Sequence, residues 1–210
     1  MSRYIKQLIS GGEHQSQDFK FEISDARRIA RSLVAFANTD GGRLLLGVKD
    51  NGAIAGVRSE EEYFMLEAAA GMYCKPAISF KVNRFFVDRK TVLEVLVSKS
   101  EGVWYYAKDN QDQWKVYIRV NDQNFLANGV LLKVWARKNN PDRGSLVRYS
   151  EKEQLLFAYL NEHGFITMSR FCKVAKISRK LAERVLVDLI SIDLVDICFT
   201  ETGTYYCLPG

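Results

Sequence analysis

The sequence predicts an α+β protein in two parts. The larger part has a mixed, mainly antiparallel sheet with helices, and the smaller C-terminal part has helices closed by a hairpin. Three observations carry this. Ile29 to Val57 reads as a buried helix, a glycine stop, an apolar strand and a tight turn. Two β-rich runs, Ile78 to Val87 and Thr91 to Val97, flank a turn at Asp88-Arg89-Lys90. From Ser150 the pattern changes to helix, short strand, helix, turn, helix, hairpin.

Met1 to Ser10 is expected to form a short amphipathic helix with Tyr4, Ile5 and Leu8 on one side, broken by Gly11-Gly12. Asp18 to Ile23 alternates as a strand does, with Phe19, Phe21 and Ile23 inward. Ser24 is the expected N-cap of the central helix, and Asp25 falls in its first turn. In that helix Ala26, Ile29, Ala30, Leu33, Phe36 and Ala37 share one face. Asn38-Thr39-Asp40-Gly41-Gly42 stops it, because glycine accepts the left-handed turn. Leu44 to Val48 suits a sheet centre, and Asp50-Asn51-Gly52 predicts a two-residue turn returning through Ala53 to Val57.

Glu60 to Tyr73 is a second helix with an acidic first turn, and Pro76 bars its continuation. Trp114 to Val120 is a further strand. Asn128 to Lys138 is a helix offering Leu131, Leu132 and Trp135 for burial. Asn139 to Ser145 collects turn formers, a proline and charges without periodicity. The expected domains are therefore 1–138 and 150–210, joined by a linker at 139–149.

In the tail, Ser150-Glu151-Lys152-Glu153 is a capping box opening a helix towards His163. Phe165-Ile166 is a small edge, and Thr167 or Ser169 begins a second helix ending near Ala175. Ser178 caps a third helix that turns Leu181, Val185, Leu186 and Leu189 inward. Leu194 to Phe199 and Thr204 to Leu208 pair around Glu201-Thr202-Gly203. This is the winged-helix order, a variant of the helix-turn-helix.

Composition narrows the function classes. The 210 residues are 47% hydrophobic and 26% charged, with a net charge of +5. The tail from Ser150 has seven Lys/Arg and eight Asp/Glu, so the basic excess lies in the first part. Basic surface favours polyanions such as nucleic acid. There is no apolar run long enough to cross a membrane and no apolar signal core at the N-terminus, so a cytoplasmic protein without membrane contact is expected. The four cysteines (Cys74, Cys172, Cys198 and Cys207) form no C-x-x-C pair, and only His14 and His163 could join them. Reduced thiols are expected rather than a zinc site.

Ala35-Phe36-Ala37-Asn38-Thr39-Asp40-Gly41-Gly42, followed by Leu46-Gly47-Val48-Lys49-Asp50-Asn51-Gly52 and Gly56-Val57, resembles the signature of the Schlafen AlbA_2 family. Gly12-Glu13 with Asp18-Phe19-Lys20 resembles its opening motif. Tyr117-Ile118-Arg119-Val120-Asn121-Asp122 resembles its closing element. The resemblance implies an AlbA_2-like α+β domain over the first two thirds of the chain. It also implies a candidate metal-dependent RNA-cleaving centre of Glu13, Asp18 and Asp50. Mg²⁺ or Mn²⁺ would be the ion, because hard cations take oxygen ligands. Outside that alternative no cofactor is expected.

Other candidates each have a structural alternative. Lys20, Arg27, Arg28, Arg31, Arg43, Lys49 and Arg119 could neutralise phosphates, or form solvated faces. Trp104, Tyr105 and Tyr106, near Lys99 and Lys108, could stack bases, or pack a loop against the sheet. Lys173, Lys176, Ser178, Arg179, Lys180 and Arg184 surround the start of the third tail helix, where recognition helices enter a groove. The glycines need no phosphate to explain them, since no G-x-x-x-x-G-K-[ST] loop is present. The favoured reading is a nucleic-acid-binding regulator, with DNA preferred over RNA. A metal-dependent ribonuclease and a winged-helix scaffold forming a homodimer are the alternatives.

Overall fold

Leu44, Leu45 and Leu46 are all withdrawn from solvent, which requires cover on both faces of their strand. The computed structural model, which describes residues 2–57, 60–139 and 149–210, supplies it. Two compact units emerge, Met1–Ala127 and Asn128–Gly210. The first contains α1 (Ser2–Ser10), β1 (Gln17–Lys20), α2 (Ala26–Asn38), β2 (Gly42–Leu46) and α3 (Glu61–Met72). It continues through β3 (Cys74–Lys75), β4 (Phe80–Val87), β5 (Lys90–Val97), β6 (Tyr106–Lys108), β7 (Trp114–Lys115), β8 (Tyr117–Val120) and β9 (Gln123–Leu126). The second contains α4 (Gly129–Lys138), α5 (Glu151–His163), β10 (Phe165–Ile166), α6 (Met168–Val174), α7 (Arg179–Ser191), β11 (Asp196–Thr200) and β12 (Gly203–Cys207).

The main sheet runs β1-β2-β5-β4, with β1 parallel to β2 and the other pairs antiparallel. Side chains alternate across it. Leu44, Leu46, Leu93 and Val95 face α2 and α3, meeting Leu33, Phe36, Leu66 and Ala69. Leu45, Phe19 and Val92 face the other way and meet Ile5 of α1. Each buried Leu contributes roughly 1.5–3 kcal/mol of transfer free energy, so both helical layers are needed. The mixed, mainly antiparallel sheet expected from the sequence is present.

Both edges of β2 are occupied, by β1 and β5, and this alters the expected hairpin. The tight turn forms, with Gly52 N–H donating to Lys49 O at 2.7 Å. Ala53 to Val57 then forms no strand: it makes an isolated bridge, Val48 to Ile54, and separate backbone bonds from Ala55 and Gly56 to Gly47 O and from Val57 to Thr91 O. Two glycines here are required by geometry. Gly41 has φ +71° and Gly47 φ +90°, and an added Cβ would meet backbone at 2.8 Å in each case.

Other boundaries shift. Asp25, not Ser24, caps α2, accepting from the Arg27 N–H. Trp114 to Val120 divides between β7 and β8, which pair with different strands. β8 returns as β9 through Asn121, whose φ of +56° makes the turn. The hairpin of β4 and β5 turns as expected at Asp88 and Arg89.

In the second unit β12 lies between β10 and β11. Leu156, Leu160, Phe171, Leu186, Leu189 and Tyr206 form its core. The Ser150–Glu153 capping box closes the start of α5, and Ser178 caps α7 by accepting from the Leu181 N–H. Helix α4, which the sequence reading left with the first domain, packs with α7. Val130 and Val134 belong to the core of Val185, Val187 and Ile190. The expected linker lies, from 140 to 148, outside the described residues. Among the described residues no helix is long and apolar enough to cross a membrane.

Candidate functional site

Strand alternation decides where Asp18 points. Phe19 faces the α1 side, so Asp18 faces α2, where it is 4% exposed. A carboxylate so placed must be paired. Lys20 Nζ lies 2.9 Å from Asp18 Oδ2, and Arg119 Nη2 lies 3.4 Å from Oδ1. Ser32, a polar break in the buried side of α2, reaches the same carboxylate at 3.5 Å.

Arg119 is the other half of the site and is 1% exposed. It donates from Nε to His14 O at 3.1 Å, from Nη2 to Gln17 O at 2.9 Å and from Nη1 to Asn124 Oδ1 at 3.2 Å. Its guanidinium also lies 4.9 Å from the centre of the Phe36 ring. Arginine suits this place because its fork satisfies several acceptors at fixed angles.

The three sequence blocks that carry the family resemblance converge here. Thr39 Oγ1 accepts from the Arg119 N–H at 3.0 Å, and Gln15 Nε2 donates to Arg119 O at 2.9 Å. Asn38 donates to Tyr105 O and Tyr117 O and accepts from the Tyr105 N–H. The opening loop, the end of α2 and β8 are thus fastened by side chains that satisfy buried backbone groups. Gln15, Gln17, Ser32, Asn38, Thr39 and Asn124 escaped the sequence reading as site residues. Ser32 alone carried a local signal, being polar inside an apolar stretch of helix.

Glu13 joins this cluster. Its Oε1 accepts from the Phe19 N–H at 2.7 Å. Burial, then the hydrogen bond with Asp18, raises the Glu13 carboxyl above the usual range. Two carboxylates and two cations therefore share one partly dry volume, and the cations already balance the carboxylates. Asp50 stands apart, exposed at the turn after Val48. No group of three His, Cys, Asp or Glu able to hold a metal gathers among the described residues. Lys20 and Arg119 both pair with Asp18, so a divalent ion at Glu13 and Asp18 would have to displace them, and the trio with Asp50 does not gather among the described residues.

Most of the basic candidates of this unit spend their charge within the fold. Arg27 pairs with Asp112 at 3.0 Å and donates to Asp109 O, and Arg31 donates to Asn110 Oδ1. Both hold the 109–113 turn against α2. Arg43 lies 3.7 Å from buried Glu94. Arg119 is enclosed, so it cannot meet a phosphate. Arg28, with a loose 3.8 Å contact to Asp25, and Lys49, over the Phe21 ring, remain exposed. Tyr105 packs on the first core instead of offering a stacking face, while Tyr106 is partly exposed.

The second unit differs. Lys173, Lys176, Lys180 and Arg184 are exposed, and their side chains make no hydrogen bond or ion pair among the described residues. Arg179 is exposed and near Tyr206, whose phenol burial pushes up to about 12 against the opposing effects of Asn128 and Arg179. The acids of α7 and its end are paired by α4. Lys133 meets Glu183 at 2.8 Å, Arg137 meets Asp188, and Lys138 meets Asp193 at 2.8 Å.

No curated protein matches the chain. Among solved structures, the DIP2311 protein from Corynebacterium diphtheriae is 23% identical with a TM-score of 0.45. That match covers 60% of this chain, which spans 28% of the length of DIP2311. The N-terminal domain of a RecG-related protein from Nitrosomonas europaea is 20% identical with a TM-score of 0.40, over 61% of this chain and 95% of that one. The family model for Schlafen, AlbA_2 matches residues 13–128. That range begins at Glu13, takes in all three converging blocks and fills more than half of the sequence, so the chain belongs to the Schlafen AlbA_2 family.

Proposed function

We propose that this chain binds nucleic acid through its second unit, read as a winged helix, and that it acts as a DNA-binding regulator. The observation that carries the reading is the uncompensated charge at the start of α7. Lys173, Lys176, Lys180 and Arg184 have no internal partner among the described residues, while α4 neutralises Glu183, Asp188 and Asp193. The tail alone is slightly acidic, but from Asn128 onward there are twelve Lys/Arg and nine Asp/Glu. Neutralising phosphates supplies most of non-specific nucleic-acid affinity. DNA is favoured over RNA because a helix enters the wide major groove of B-form duplex, whereas A-form RNA has a deep, narrow one.

The test is fluorescence anisotropy of the full chain with labelled duplex DNA and duplex RNA over a salt series. The expected result is tighter binding to DNA, weakening steeply with salt. Removing one phosphate-contacting cation should reduce the log–log slope by about 0.9, so Lys180→Ala and Arg184→Ala should each flatten it. No binding at low salt, or binding untouched by Lys180→Glu with Arg184→Glu, overturns the proposal.

A further inference from the structure

The β11–β12 hairpin carries two of the four cysteines. Its register pairs Cys198 with Tyr205 and Asp196 with Cys207. The cysteines are therefore diagonal neighbours on one face of the hairpin. That face is the outer one. Ile197 and Tyr206, on the other face, pack in the second unit's core, whereas Cys198 and Cys207 are half-buried outside it. The two Sγ atoms lie 3.0 Å apart, about 1 Å more than a disulfide bond. Phe165 and Tyr205 meet edge to face at 5.2 Å on the same side, beside the sulfur pair.

We propose that Cys198 and Cys207 form a reversible dithiol–disulfide site, closed by a hydroperoxide such as hydrogen peroxide. Two thiols and one peroxide give one disulfide and two waters. Burial, then the hydrogen bond with Cys198, pushes the Cys207 thiol up to about 12. The raised Cys207 thiol favours attack from the Cys198 sulfur. That sulfur gives up a proton and breaks the O–O bond, forming a sulfenic acid and, with that proton, one water. Cys207 then attacks the oxidised sulfur, and its proton leaves with the displaced hydroxide as the second water. The sulfurs lose two electrons and the peroxide gains them. Proximity traps the sulfenic acid before further oxidation, and because both sulfurs lie on the outer face the cross-link leaves the core unchanged.

The full chain, reduced and freed of reductant, is treated with hydrogen peroxide while folded, then unfolded in denaturant and alkylated so that buried Cys74 also reacts, and its intact and peptide masses are read. The expected product is a monomer lighter by two hydrogens, with Cys198 and Cys207 protected and joined, and Cys74 and Cys172 still alkylated. Dithiothreitol should restore full alkylation. Cys198→Ser and Cys207→Ser should each abolish the intramolecular product. Alkylation of all four cysteines after peroxide, survival of the two-hydrogen loss in Cys198→Ser, or a disulfide-linked dimer as the main product overturns the proposal. The readout is a covalent bond, so it stands or falls apart from nucleic-acid binding.

Discussion

Arg119 Nη2 lies 3.4 Å from the Asp18 carboxylate, with both side chains almost wholly withdrawn from solvent. Breaking one side of such a pair leaves a buried charge and typically costs about 3–5 kcal/mol. Here the arginine also satisfies the carbonyls of His14 and Gln17. Arg119→Met should therefore lower unfolding stability by roughly that amount in urea titrations. Arg119→Lys should recover little, because the three donors of one ammonium cannot reach the four acceptors spread around the guanidinium fork. Adding Asp18→Asn to Arg119→Met should restore part of the loss. A near-neutral Arg119→Met would show that the three blocks are held together by other contacts.

Glu13 sets a pH dependence of known sign. Its folded-state carboxyl is raised by burial and then by Asp18. In the window from its unfolded value up to the raised one, the folded state holds the proton more tightly. That contribution to stability is present at low pH and is lost as pH rises through the folded value. Glu13→Gln should thus be more stable than the parent at neutral pH, and the difference should vanish on acidification below the unfolded value. Paired chemical denaturation from pH 4 upward measures this. A variant less stable at neutral pH would reverse the assigned sign.

These polar features mark where the sequence could and could not be read. Helix α2 and its glycine stop, the β4–β5 hairpin and the caps of α5 and α7 follow from local periodicity and turn chemistry, and the structure has them where expected. The return strand after Gly52 does not form because β5, which begins at Lys90, far along the chain from the end of β2 at Leu46, takes the edge; no local window reports that competition. The same limit applies to the site. The blocks around Glu13, Asn38 and Arg119 were legible as a set, but a residue's type does not announce its partner. Arg119 reads equally well as a phosphate contact or a buried clamp, and Asp18 gives no sign of facing two cations. Lys180 and Arg184 were legible as exposed cations because their helix face was predictable from its apolar neighbours.

Helix α4 bears on where the second unit can be cut. Val130 and Val134 are buried with Val187 and Ile190, so removing α4 would expose these side chains on α7. Burying two valines contributes roughly 3–6 kcal/mol, comparable to the whole stability of a small domain. A fragment spanning 128–210 should show a cooperative thermal transition by circular dichroism. A fragment spanning 150–210 should melt at markedly lower temperature or fail to fold. Equal melting of the two would mean that α4 is an ornament on α7.

Helix α4 also carries an electrostatic consequence for the proposed binding face. Lys133 and Arg137 hold Glu183 and Asp188 in ion pairs. Freeing one carboxylate about 10 Å from a bound phosphate adds a repulsion of roughly 0.4 kcal/mol at the dielectric constant of water, about a twofold loss of affinity. Lys133→Ala and Arg137→Ala should each weaken DNA binding by about that factor at low salt, although neither is proposed to touch the duplex. The effect should fade as added salt brings the screening length well below 10 Å, to about 3 Å at 1 M. Losses of a hundredfold from either change would instead place α4 itself in contact with the phosphates, and no loss at all would mean that the α7 acids lie too far from the bound strand to matter.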